Sequence, residues 1–163
     1  MPELLTLGEL GKSGSMLGGS FQLELPGHEN LVCEEVYRHL PGKRLAFRAH
    51  WGGADVLVKL FFQRKYLERE RSGLKALAES GIPCPQEVWC LVDEGDGYFI
   101  ATEFLPDAAS LQDCYKGLSS QQLKPLLRDA LKLIGQLHRA GWMQADIHLD
   151  NFLLSQGKLH LID

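Results

Sequence analysis

The chain has 163 residues, 45% hydrophobic and 23% charged, which is enough apolar material for one compact domain or two small lobes. Its net charge of −4 argues against a dedicated nucleic-acid binder, although net charge does not describe local basic clusters. No stretch approaches the roughly 18 apolar residues of a membrane helix, and "MPELLTLGELGKSGS" lacks the basic start and apolar core of a signal peptide.

Residues 1–30 hold six glycines and little periodicity, so a flexible leader is expected there. Gly11-Lys12-Ser13 invites a phosphate-loop reading, but that motif requires glycine five positions earlier, where Thr6 stands. The reading is rejected. Cys33, Cys84, Cys90 and Cys114 show no metal-ligand spacing, and reduced thiols acting as small buried hydrophobes are expected.

From residue 31 the pattern turns to strands. "LVCEEVYRHL", "RLAFRAHW" and "DVLVKLFF" are β-rich runs separated by Pro41-Gly42 and Gly52-Gly53, which predicts a three-stranded antiparallel meander. "QRKYLERERSGLKALAESG" predicts a helix with Leu67, Leu74 and Leu77 on its apolar stripe, closed by Gly81. "EVWCLVDEGDGYFIATEFL" then reads as a hairpin turning at Asp93–Gly97. Residues 31–105 thus spell β-β-β-α-β-β.

After Pro106 the character becomes helical. Ser119 and Gln122 fit a capping box, and Leu123, Leu126, Leu127, Ala130, Leu131, Ile134, Leu137 and His138 follow helical spacing as one buried face. Pro125 sits poorly inside that helix and argues for a later start. Gly141 closes it. A loop follows with Asp146, His148 and Asn151, and then "NFLLSQGKLHLID" reads as a hairpin with Gly157 in its turn.

Lys59 lies in "VLVKLF" between apolar neighbours, where an ammonium costs free energy unless a carboxylate or phosphate meets it. Alone, it reads as a lysine that snorkels to water. Glu68 and Glu70, on the following helix, are candidate partners; alone, they read as a solvated face. Asp146 with Asn151 five residues on, then an apolar strand and Asp163, forms D-x-x-x-x-N…D. Phosphoryl transfer needs such parts: a carboxylate to take the proton of the attacking hydroxyl and two oxygen ligands for Mg²⁺. The bland alternatives are a turn-forming Asp146 and a strand-start cap at Asn151. Each wins for its residue alone, but the joint order of the parts favours a catalytic loop.

In this order, "VLVKLF", "LERERSGLKALAESGIPCP", "ATEFL", "ADIHLDNFLL" and "LHLID" resemble the protein-kinase-like fold, and most of all its bacterial lipopolysaccharide core kinases, which phosphorylate heptose or Kdo sugars. The resemblance covers residues 33–163. It implies an α+β, bilobal fold in which 31–105 form a β-sheet N-lobe with one helix and 106–163 begin a helical C-lobe. It implies ATP and Mg²⁺ as cofactors and a sugar or lipopolysaccharide-core acceptor. Lys59 would hold the ATP phosphates and Glu70 would pair with Lys59. Glu103, Phe104 and Leu105 would meet adenine, Asp146 would be the catalytic base, and Asn151 and Asp163 would bind the metal. It also implies a cytoplasmic enzyme with peripheral contact at the inner face of the inner membrane.

Several positions depart from the kinase pattern. Gln144-Ala145 replace the usual His-Arg, which removes the group that reads a phosphorylated activation loop. "RHLPGKRLAF" replaces the glycine-rich loop, so Lys43 and Arg44 would cover the phosphates with charge, or form a plain turn. His148, where protein kinases carry lysine, resembles aminoglycoside and choline phosphotransferases, or simply bonds the loop backbone. His138 and His160 are expected to be packing residues. Kinases of this class continue beyond the metal-binding aspartate, so either an unusually compact protein or a fragment is expected. Four functions follow: a core-sugar kinase, another small-molecule or protein kinase, a non-catalytic pseudokinase module, and an α+β domain with an incidental acidic loop.

Overall fold

Two short breaks in the sequence set the frame of the sheet. At Leu40–Lys43 the Lys43 N–H donates to the Leu40 carbonyl at 2.9 Å, with Pro41 second and Gly42 at φ 70°, a type II turn that needs glycine in its third place. At Trp51–Ala54, Gly52-Gly53 closes a two-residue hairpin. The strands they delimit are β3 (Leu31–Leu40), β4 (Arg44–Trp51) and β5 (Ala54–Phe61), an antiparallel meander as expected.

The computed structural model describes residues 2–12, 20–25, 27–93 and 97–162 and has an α+β architecture. After β5 come α2 (Arg64–Glu79), β6 (Glu87–Asp93) and β7 (Gly97–Glu103), which is the β-β-β-α-β-β order read from residues 31–105. Residues 94–96, at the tip expected for the β6–β7 turn, lie outside the described residues.

The N-terminal segment corrects the sequence reading. In place of a flexible leader, it forms β1 (Glu3–Leu5), α1 (Leu7–Lys12) and β2 (Phe21–Leu23), with residues 13–19 outside the described set. β1 runs parallel to β2, and β2 pairs antiparallel with β3, giving a seven-stranded sheet of order β1-β2-β3-β4-β5-β7-β6. The cause is burial. Leu7, Leu10, Phe21, Leu23 and Leu25 join Leu45, Phe47, Val58, Leu60 and Phe99 in one core, and each such side chain contributes roughly 1.5–3 kcal/mol when fully buried.

The chain divides into two compact units, one of 1–69 with 86–104 and the other of 70–85 with 105–163. This differs from the division at 30 and 105 expected from sequence: the first unit takes in the N-terminal strands, and the second takes the C-terminal half of α2. The second unit holds β8 (Ala109–Ser110), α3 (Leu111–Gly117), α4 (Ser120–Arg139), a 3-10 turn (Leu149–Asn151), β9 (Phe152–Ser155) and β10 (Lys158–Leu161). Its core joins Leu77, Ile82, Cys84, Leu111, Ala130, Leu137, Phe152 and Leu161.

In α4 the capping box forms: Ser119 Oγ accepts the Gln122 N–H at 3.3 Å and Gln122 Oε1 accepts the Ser119 N–H at 3.0 Å. The helix does not start later than its cap, as Pro125 suggested from sequence, but at Ser120. The cap holds the first turn, and the carbonyl that Pro125 leaves without its usual donor belongs to the exposed Gln121. The expected apolar face is also narrower. Leu123, Ala130 and Leu137 are buried, whereas Leu127, Leu131 and His138 are exposed, so His138 is not a packing residue.

Candidate active site

The sheet carries its chemistry on one face. Along β4 and β5, Leu45, Phe47, Ala49, Val56, Val58 and Leu60 alternate into the core. Ala46 pairs with Lys59 and Arg48 with Leu57, while Ile100 and Thr102 of β7 pair with Lys59 and Leu57 from the other side. Partners across a ladder share a face. Ala46, Arg48, Leu57, Lys59, Ile100 and Thr102 therefore lie together opposite the core, with Ala46, Leu57 and Ile100 around a half-buried lysine and Arg48 beside them.

Glu103 ends β7 and is clasped by its neighbour. Its N–H donates to the Gln86 carbonyl at 2.9 Å, and its Oε1 accepts the Gln86 N–H at 3.1 Å. Its side chain and its amide are thus both committed to holding this segment in place. Phe104, next in the chain, lies under the Arg48 guanidinium, 4.5 Å from the ring centroid. Lys43 is exposed in the type II turn and Arg44 is half-buried at the start of β4. The turn itself is closed by a backbone bond, so it is a plain hairpin turn and presents no row of glycine amides.

On α2, Glu68 is exposed and paired with Arg64 at 2.9 Å, one helical turn away. Glu70 is half-buried. Of the two glutamates read from sequence, Glu68 is the one committed to a solvated helix pair.

The loop after α4 is ordered by local bonds. The Asn151 Nδ2 donates to the Asp146 carbonyl at 3.1 Å, and the Asn151 N–H donates to the His148 carbonyl at 3.0 Å. The Asn151 amide nitrogen is thus engaged within the loop. The Asp146 side chain is exposed. His148 Nδ1 accepts the Asp150 N–H at 3.2 Å and stands 3.4 Å from Asp150 Oδ2. The ring thereby caps the 3-10 turn. Of the two roles read for His148 from sequence, backbone bonding is the one the structure contains.

Asp163 lies outside the described residues. Its neighbour Ile162 donates its N–H to the Asn151 carbonyl at 2.9 Å, which extends the β9–β10 pairing to Asn151 itself. Asn151 and Ile162 thus stand across from one another at the open end of the hairpin.

Sequence reasoning passed over Arg48. Its Nε is 3.2 Å from Glu34 Oε2 and its Nη2 bonds Asp55 Oδ2, while His50 Nδ1 reaches Asp55 Oδ1 at 3.1 Å. The hydrogen bond from Arg48, then that from His50, holds the Asp55 carboxyl below the usual carboxylate range, and the same pairing raises Arg48. The signal in sequence was Arg44, Arg48 and His50 alternating with apolar residues in "RLAFRAHW", but the cluster draws on three strands. Burial pushes the Cys33 thiol up to about 11, so it is an inert core residue, and all four cysteines are free.

A family model described as the lipopolysaccharide kinase (Kdo/WaaP) family matches residues 54–163. The match contains Lys59, Glu70, Glu103, Asp146, Asn151 and Asp163, and it excludes Lys43 and Arg44. The structure is similar to a solved structure described as WaaP in complex with acyl carrier protein, at 25% sequence identity and a TM-score of 0.56. That likeness covers 79% of this chain and 59% of the other, so the chain spans about three-fifths of that protein's length. No curated protein matches the sequence.

Proposed function

The chain belongs to the lipopolysaccharide kinase (Kdo/WaaP) family, and on that premise we propose that it transfers a phosphoryl group from Mg-ATP to a sugar hydroxyl of the lipopolysaccharide core. The observation that carries this reading is the Asp146–Asn151 loop. There an exposed Asp146 carboxylate and the Asn151 amide share one loop, tied by the bond from Asn151 Nδ2 to the Asp146 backbone carbonyl, inside the region that matches the family.

The chain's residues divide the work. Lys59 offers its ammonium to the phosphates of ATP, on a face whose Ala46, Leu57 and Ile100 suit an aromatic base. Glu70 pairs with Lys59 and fixes its direction. The 103–105 segment meets the adenine edge through its backbone. Asp146 orients the acceptor hydroxyl and takes its proton as the oxygen attacks the γ-phosphorus. Asn151 and Asp163 supply oxygen ligands for Mg²⁺, whose charge, when bound, offsets that building up on the phosphates. Lys43, in the turn, and Arg44, at the start of β4, add positive charge.

An amphiphilic acceptor implies work at the inner face of the inner membrane with peripheral contact. Among the described residues no helix is long and apolar enough to cross a membrane. A small-molecule phosphotransferase of the aminoglycoside or choline type remains the alternative, carried by His148 two residues after Asp146.

The test is transfer of labelled phosphate from Mg-ATP to dephosphorylated lipopolysaccharide core, with an aminoglycoside and a generic protein alongside. Label in the core sugar that vanishes with Asp146→Asn supports the reading. Label in another acceptor moves the substrate. Saturable Mg-ATP binding without any transfer would make the protein a binding module.

A further inference from the structure

The cluster around Arg48 is not part of the chemistry assigned above. Glu34 on β3, His50 on β4 and Asp55 on β5 bring ligand-type atoms within 4.8 Å of one another. That spacing would suit a cation, but the Arg48 guanidinium already supplies one: it bonds Asp55 and reaches Glu34. Asp55 accepts a hydrogen bond from Nη2 and Glu34 forms an ion pair beside Nε, along one edge of the planar guanidinium, which orients that plane as a lysine could not. The plane so fixed lies over the ring of Phe104. On the other side of the same segment, Glu103 is clasped to Gln86 by two hydrogen bonds. The 103–104 backbone is therefore held from both flanks, and a sheet-borne arginine sets the direction of Phe104.

We propose that Arg48 is a positioning residue for nucleotide binding: caged by Glu34 and Asp55, it holds Phe104 so that the 103–105 segment meets adenine without prior reordering. The inference rests on the ATP-dependent reading and names a determinant of that site that acts through Phe104. A segment ordered before binding spares the ligand the cost of ordering it. In this reading Arg48 acts on the nucleotide through Phe104 and not on the transferred phosphoryl group, so its removal is expected to lower ATP affinity and spare the chemical step.

The experiment measures Mg-ATP affinity and steady-state kinetics for the wild type, Arg48→Ala, Arg48→Lys, Phe104→Leu and the Arg48→Ala/Phe104→Leu double variant, with thermal unfolding of each. The expected result is a rise of about tenfold in Kd and KM for ATP in Arg48→Ala, with kcat and the acceptor KM unchanged. Arg48→Lys, which keeps the charge and loses the planar fork, falls nearer to Arg48→Ala than to the wild type. The double variant binds no more weakly than the weaker single variant, because both changes cut one connection. Unchanged ATP affinity in Arg48→Ala and Arg48→Lys, beside a wild type that binds, overturns the inference and leaves the kinase reading intact. Strictly additive losses would also overturn it, since Arg48 would then not act through Phe104. If Arg48→Ala fails to fold, the Arg48→Lys and Phe104→Leu arms still decide. A wild type without Mg-ATP binding removes both readings together.

Discussion

The residues proposed to hold ATP and those proposed to move the proton are built in opposite ways. Lys59 stands on β5, paired on both sides by β4 and β7 in the middle of a seven-stranded sheet, above a core that includes Phe47, Leu60 and Phe99. Asp146 stands on an exposed loop whose shape comes from a few bonds between residues two to five apart. The sheet region is specified by long-range burial and resists single changes in surface groups. The loop is specified locally, so there one side chain can be altered without disturbing the fold.

That contrast can be broken most sharply at Asp146. Replacing it with Asn should lower phosphate transfer by about 10²–10⁴-fold while leaving ATP affinity and the unfolding midpoint where they are; equal loss of binding would make the residue structural. On the sheet, Phe47→Ala should cost about 3–5 kcal/mol of stability in a denaturant titration, because Phe47 is fully buried. Activity per folded molecule would be its lesser casualty.

Smaller changes refine the comparison. Ser119→Ala removes the acceptor of the α4 capping box and should cost about 1 kcal/mol, read as a lower unfolding midpoint. His148→Ala should loosen the 3-10 turn by about 1 kcal/mol, and His148→Asn, which can still cap, should restore most of the activity. If His148→Asn is as inactive as His148→Ala, the ring does more than cap. The smallest effect belongs to Asp55. Its folded carboxyl titrates below the ordinary value of about 3.9, so the stabilisation it provides is fully present above that value. It is lost as pH falls through the lower, folded value. Asp55→Asn should therefore flatten the acid limb of the stability curve below about pH 4 and leave neutral stability nearly unchanged.

Much of the fold was legible because short-range signals agreed with long-range ones. β3 and β4 end where Pro41-Gly42 and Gly52-Gly53 demand, and α4 begins at its capping box. The loop was readable since its spacing, D-x-x-x-x-N, is itself local. What could not be read depends on partners distant in the chain. Glycine density hid the N-terminal elements, although Thr6 and Glu9 cap one another's backbone in the pattern of a helix start. Their apolar residues matter because β3 and β4 supply a core for them to join. Helical periodicity placed Leu127 and Leu131 on the buried face of α4, yet 68% of Leu131 is exposed: spacing shows which residues align, and packing decides how wide a stripe is covered. The Arg48 cage needs the register of three strands, including the β3 irregularity between Cys33 and Glu35, which no single stretch reveals.

The bond between Ile162 and Asn151 has a consequence for how the protein tolerates change in length. Phe152 faces Leu161 and Ser155 faces Lys158, so one residue added or removed between 151 and 163 would invert the facing of everything beyond it. The exposed tip at Gln156-Gly157 looks, by its solvent contact alone, like a place to splice in a tag or an epitope. It works instead as a gauge block, setting the interval between Asn151 and its partner Ile162. Substitutions there should be mild and single-residue insertions severe, which is the reverse of the usual tolerance of a surface loop.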